Sequence, residues 1–290
     1  MLPGPDGLTD ERTEMVVRTI ARIAAQWNTP GAVEKILPFT ADLTEGILRE
    51  LFEPWGRLGD SKTYARDVLG KIDYSRTVVN LPRGQCIWRC IEHLAHLRTI
   101  TVLILRDDMF NLHPVANLPR LRRLTLQGNS TVSLRPLTGS RSLRVLVLDQ
   151  CATMSGAGPV DLSPLRELEL RRLVISGLLT KIDMASLSGL RLNSFRLESP
   201  LRGSLLPADL HVRYLSIVAG ARRVGFADVC GVRSLLLDWV PDSDDLVGIA
   251  RLSELRRLVL FRVPPGTPPP SLSGVKVLII SSRGGKADAT

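Results

Sequence analysis

The fold class the sequence predicts is an α/β solenoid: a curved parallel sheet of short strands with a mostly non-helical convex side, preceded by a small α-helical domain. Three observations predict it. A hexad with apolar residues at positions one, four and six recurs nine times, opening at Ile100 (ITVLIL), Leu121 (LRRLTL), Leu143 (LRVLVL), Leu165 (LRELEL), Leu192 (LNSFRL), Val212 (VRYLSI), Val232 (VRSLLL), Leu255 (LRRLVL) and Val275 (VKVLII). The openings lie 21, 22, 22, 27, 20, 20, 23 and 20 residues apart. One short segment cannot hide all three apolar positions, but stacking each unit on the next buries them in one continuous core. The composition agrees, because a chain that is 44% hydrophobic and only 4% aromatic suits an aliphatic stacked core.

Residues 1–75 lack the hexad and read as helical. Over 10–27, Met15, Val16, Ile20, Ile23 and Ala24 fall on one face, the spacing of an amphipathic helix that Asn28-Thr29-Pro30-Gly31 ends. Short helices follow at 32–37, 43–52 and 63–72. A cap about 76–99 comes next: Val78, Val79 and Leu81 form a first strand, part of a degraded hexad at Arg76. A helix over 86–97 then turns Ile87, Cys90, Ile91, Leu94 and Leu97 to one side, able to cover the first repeat's open core. Nine repeats fill 100–283, and 284–290 is a flexible tail. Units of 20–23 residues leave too little chain for a full outer helix, so extended or 3₁₀ connections are expected, as at 111–118. The 27-residue unit at 165–191 has room for two helical turns near 179–187. The Pro-rich stretch 264–270 is neither strand nor helix and must arch over the outer face.

A hexad of this kind at a period of about 20–29 residues resembles the leucine-rich repeat family. The resemblance implies Asn or Cys at the third residue after each hexad. That position holds Asp108, Asn129, Cys151, Leu173, Pro200, Gly220, Val240, Val263 and Arg283, so the polar ladder fails from the fourth repeat and later turns should be irregular. Helices followed by such repeats also resemble the C-terminal part of NACHT-type immune sensors, whose repeats sense ligands and restrain an ATPase. This second resemblance implies the sensor part of a bacterial defence protein, with no ATPase motif in this chain.

The motifs that carry chemistry are weak. Gly56 to Thr63 lacks the second glycine of a phosphate-binding loop and follows no strand, so a helix N-cap by Asp60 or Ser61 explains it better. Cys86, Cys90, His93 and His96 recur at helical spacing, but residues seven apart on a helix stand about 10.5 Å apart. Zinc needs its ligands at about 2.0–2.3 Å. Cys86 and Cys90 therefore read as core, and His113 and His211 stand alone. No catalytic residue, metal site or cofactor is expected, and the chain reads as a non-enzyme. Nothing approaches the roughly 18 apolar residues of a membrane span. The acidic N-terminus is no secretory signal, and four scattered cysteines give no disulfide framework, so a cytoplasmic, reduced protein is expected.

Two surfaces compete for binding. Positions three, five and seven of each hexad point together onto the concave face. The candidate partner-binding residues there are Arg123, Gln127, Asp149, Glu167, Glu169, Arg171, Arg196, Glu198, Tyr214, Leu236, Trp239, Arg257 and Phe261. The middle is charged and of mixed sign, whereas Tyr214, Leu236, Trp239, Val259 and Phe261 make an apolar anchor cluster for a protein partner. A bland alternative covers that face with the chain's own tail or Pro-rich loop. The second surface is the column at position two: Thr101, Arg122, Arg144, Arg166, Asn193, Arg213, Arg233, Arg256 and Lys276. With a net charge of +9 it suits nucleic acid or an acidic partner, unless the arginine stems merely cover apolar surface. The last strand, 275–280, is apolar and followed only by a short polar tail, which predicts self-association or partner docking through that edge.

Overall fold

The computed structural model of the chain describes residues 15, 18–19, 22–23, 26–29, 31–37, 44–55, 57–81, 90–106, 111–128, 133–149, 161–176, 184–198, 206–218, 229–264 and 270–281. Two compact units divide the chain, one of residues 1–129 and 135–143, the other of 130–134 and 144–290.

The first unit opens with helices. Met15, Arg18, Thr19, Arg22 and Ile23 are helical, but Met15 is 67% exposed, so the apolar face read over 10–27 does not hide it. Val16, Ile20 and Ala24 lie outside the described residues. Helices α1 (Ala32–Ile36), α2 (Glu45–Phe52) and α3 (Ser61–Asp67) follow, with a 3₁₀ turn at Leu69–Lys71. Side-chain caps start α2 and α3. The Ile47 amide donates to Thr44 Oγ1 at 3.3 Å, and the Thr63 amide to Asp60 Oδ1 at 3.0 Å. The Asp60 contact is the helix cap expected of the Gly-rich segment. Ile47, Leu48, Leu51 and Phe52 of α2 form one inward stripe.

That stripe meets Trp55, Tyr64 and Tyr74, all fully buried. Phe52 lies 5.9 Å from the Trp55 ring and 6.1 Å from the Tyr74 ring, and the Tyr64 hydroxyl donates to the Leu51 carbonyl at 2.8 Å. Burial pushes both tyrosine hydroxyls far above their ordinary range. The helical layer is stitched to the first repeat by hydroxyls. Thr99 Oγ1 accepts from the Tyr74 amide at 2.9 Å and donates to the Ile72 carbonyl at 3.0 Å, and Thr101 Oγ1 donates to the Ser75 carbonyl at 3.1 Å. The expected helix over 86–97 is a 3₁₀ turn at Ile91–His96, with Ile91, Leu94 and Leu97 buried; residues 82–89, Cys86 and Ile87 among them, lie outside the described residues. Cys90 is a buried thiol donating to the Trp55 carbonyl at 3.2 Å. Strands β1 (Val78–Asn80), β2 (Val102–Arg106) and β3 (Arg123–Gln127) then pair in parallel, in chain order.

The second unit carries β4 (Val145–Asp149), β5 (Arg172–Ser176), β6 (Arg191–Glu198), β7 (His211–Val218), β8 (Ser234–Leu237), β9 (Arg257–Val263) and β10 (Lys276–Ser281), and from β5 onward each pairs in parallel with the one before. From β4 to β9 hexad positions one, four and six are buried, as in Leu192, Phe195 and Leu197 or Val212, Leu215 and Ile217. Each such side chain contributes about 1.5–3 kcal/mol by leaving water. Parallel strands in chain order, an apolar triplet recurring from strand to strand on one face and short connections make this a leucine-rich repeat solenoid. Among the described residues the connections include an α turn, α4 (His113–Ala116), and a 3₁₀ turn at Arg135–Gly139 in the first unit, and 3₁₀ turns at Ser163–Glu167 and Met184–Leu187 in the second. One was not expected: α5 (Ser243–Ala250) links β8 to β9. A capping box starts it, the Asp245 amide donating to Asp242 Oδ1 at 2.9 Å and the Asp242 amide to Asp245 Oδ2 at 3.3 Å.

Two hexads are out of phase with the sequence reading. The fourth opens at Leu170, not Leu165, because the strand is Arg172–Ser176 and its buried residues are Leu170, Leu173 and Ile175. Leu165 instead fills the core from the 3₁₀ turn at Ser163–Glu167. The long unit therefore precedes β5, and 184–187 holds a single 3₁₀ turn; 177–183 lie outside the described residues. The ninth hexad opens one residue early, at Gly274. Val277 and Ile279 align with the core residues Leu258 and Leu260, so Leu278 and Ile280 take the opposite face. Among the post-hexad positions, Leu173 proves to be a buried strand residue, Val263 is buried and Val240 exposed; Asp108, Asn129, Cys151, Pro200, Gly220 and Arg283 lie outside the described residues. So do 265–269 of the Pro-rich stretch.

Candidate binding surfaces

A shared irregularity creates the two surfaces. The carbonyl at position two accepts two successive amides from the next strand. Thr101 accepts from Arg122 and Arg123 at 2.8 and 3.0 Å, Arg144 from Arg171 and Arg172 at 2.8 and 3.0 Å, Arg171 from Asn193 and Ser194 at 2.8 and 3.0 Å, and Arg233 from Arg256 and Arg257 at 3.0 and 3.1 Å. Two residues facing one is the pattern of a β-bulge. It throws the position-two side chain out along the N-terminal edge of the strands. Positions three, five and seven stay on the open face, the face expected to be concave.

On the second unit's open face two pairs of polar residues satisfy each other. Ser176 Oγ donates to Asp149 Oδ1 at 2.8 Å, and Arg196 forms an ion pair with Glu198. Toward β10 the face turns apolar. Leu236, Val259 and Leu278 lie in one row across β8, β9 and β10, with Phe261 beside Ile280 in the next. Val259, flanked on both sides, is 7% exposed, whereas Leu278 is 36%, Ile280 41% and Tyr214, on β7, 53% exposed. A second bulge ends the patch. Arg262, with φ of 60°, sits 5.3 Å over the Phe261 ring and lets Val263 turn into the core opposite Ser281.

Most of the candidate residues therefore hold their face, and four do not. In the first unit, Arg123 and Gln127 occupy positions three and seven of β3. In the second, Asp149, Arg196, Glu198, Tyr214, Leu236, Arg257 and Phe261 are on the open face. Glu167, Glu169 and Arg171 are displaced by the shifted fourth hexad. Glu167 ends a 3₁₀ turn, Glu169 precedes β5 and is paired with Arg144 at 2.8 Å, and Arg171 joins the edge column. Their places fall to Arg172, Val174 and Ser176. Trp239 is half-buried and committed to its own turn, its Nε1 donating to Asp245 Oδ2 at 2.9 Å. Leu278 and Ile280 were missed in the sequence.

No protein-family model and no curated protein matches the chain. It is similar in structure to internalins of Listeria monocytogenes str. 4b F2365. An internalin named inlF is 14% identical over 86% of this chain and 70% of its own, with a TM-score of 0.36. Internalin C2 is 17% identical over 85% of this chain and 96% of its own, with a TM-score of 0.34.

After the phase correction Arg171 replaces Arg166 in the edge column, which loses one charge because Lys276 moves to the open face beside Arg257. Arg233 reaches Glu254 at 3.4 Å. Among the described residues no group of three or more His, Cys, Asp or Glu is placed to hold a metal. His96, one of the spacing-based candidates, is held below the usual histidine range, mainly by partial burial and also by His93 and Lys62. No helix among the described residues is long and apolar enough to cross a membrane.

Proposed function

We propose that the chain is a non-enzymatic recognition module that docks a protein partner on the open face of β7–β10. The apolar row Leu236, Val259 and Leu278, with Phe261, Ile280 and Tyr214, carries this reading: large side chains gathered on a solvent-side face mark interaction surfaces. The occupant is a protein segment presenting aliphatic or aromatic anchors, since the patch offers burial and a rigid exposed tyrosine rather than charge. Helices stitched to the first repeat support a finer reading, the sensor part of a bacterial NACHT-like defence protein working in the reduced cytoplasm.

Paired captures from native lysate test it, using the intact chain and a Leu278→Lys, Ile280→Lys variant of unchanged circular dichroism. A protein retained by the first and lost from the second is the expected result. Equal retention by both would place recognition elsewhere, and recovery of RNA or DNA would favour the cationic edge.

A further inference from the structure

The second unit has a groove at the N-terminal edge of its strands, distinct from the open face. It encloses about 600 Å³ and is built from two columns. One is position two, giving Arg171, Asn193, Arg213 and Arg233; the other is the residue before each hexad, giving Arg191, His211, Gly231 and Glu254. β6 and β7 make the groove because they begin early, at Arg191 and His211, and run for eight residues each. Four guanidinium groups thus gather against a single carboxylate. Only Arg233 has an acidic partner, Glu254 at 3.4 Å; Arg171, Arg191 and Arg213 are exposed and meet no carboxylate among the described residues. Like charges on strands about 4.8 Å apart repel one another, and nothing described in the fold offsets the repulsion.

We infer that this groove binds an extended acidic peptide segment of a partner protein. Guanidinium forks take carboxylates two bonds at a time, and their geometry is specific rather than merely attractive. The groove reaches from β5 to β9, four strand spacings or about 19 Å, which matches about six residues of extended peptide. One feature favours peptide over nucleic acid. No Phe, Tyr or Trp lines the groove, so bases have no broad platform on which to stack. This inference stands on the edge groove alone and does not depend on the apolar face.

Fluorescence anisotropy of a labelled hexaglutamate peptide against the intact protein tests it, at two salt concentrations. Saturable binding that Arg191→Gln and Arg213→Gln each weaken about tenfold is expected. Arg122→Gln removes the same charge from the first unit and should leave binding unchanged. Equal weakening by all three variants would mean diffuse attraction to a basic protein and would overturn the site. So would an absence of saturable binding, or tighter binding of a single-stranded oligonucleotide that the groove variants abolish. Circular dichroism confirms that each variant is folded, and these exposed positions bear no core contact.

Discussion

Leu173 is fully buried in β5, five residues beyond the place where the simplest count puts a core leucine. Truncating it to alanine should cost about 2–5 kcal/mol, as should Leu124→Ala and Leu146→Ala, whereas Arg122→Ala at the strand edge should cost far less. Denaturant midpoints check this, and a harmless Leu173→Ala would restore the earlier phase. The sequence was ambiguous here for a physical reason. LRELEL and LRRLVI overlap at Leu170, and both satisfy the hexad. Spacing could not choose between them, but strand preference could: Pro164 and the glutamates suit a turn, and Val174 with Ile175 suits a strand. The open-face residues Glu167, Glu169 and Arg171 went astray through this one slip.

At the scale of the element, β10 shows how a strand can hide its own phase. VKVLII is apolar at every position but one, and a slip of one residue exchanges its two faces. The register with β9 settles it, since Leu278 faces Val259. The bulge in β9 makes a sharper forecast. Arg262 occupies the left-handed region, where a β-branched side chain is strained and glycine is not. Arg262→Val should lower the melting midpoint clearly, and Arg262→Gly should hold it near its original value despite losing the ring contact. Helix α5 was legible but unread, because Asp242 and Asp245 carry the capping-box spacing; with it came Trp239, which bonds Asp245. In α3, the hydrogen bonds from Thr63 hold Asp60 below its ordinary value of 3.8. A depressed carboxylate pKa adds stability above the unfolded value and loses it as pH falls through the native one. Asp60→Ala should therefore lower the melting midpoint at neutral pH and matter progressively less below about pH 4.

For the whole molecule, the solenoid was legible because nine units enforce one pattern and single slips do not break it. The aromatic cluster of Phe52, Trp55, Tyr64 and Tyr74 was not, because its members have no period and meet only in space. We extend the proposal on partners to the last strand. Val277 and Ile279 are half-buried on the core side of β10, and this partly bare layer at the last described strand should drive concentration-dependent self-association. Val277→Lys with Ile279→Lys should shift light scattering toward monomer; an intact chain already monomeric at high concentration would refute this. The central claim, docking on the open face of β7–β10, has a more direct test in site-specific photo-crosslinking. A benzophenone side chain placed at Tyr214 or Leu278 should capture one and the same protein, and the same group at Arg135 in a 3₁₀ turn of the first unit should not. Capture from Arg135 alone would contradict the account.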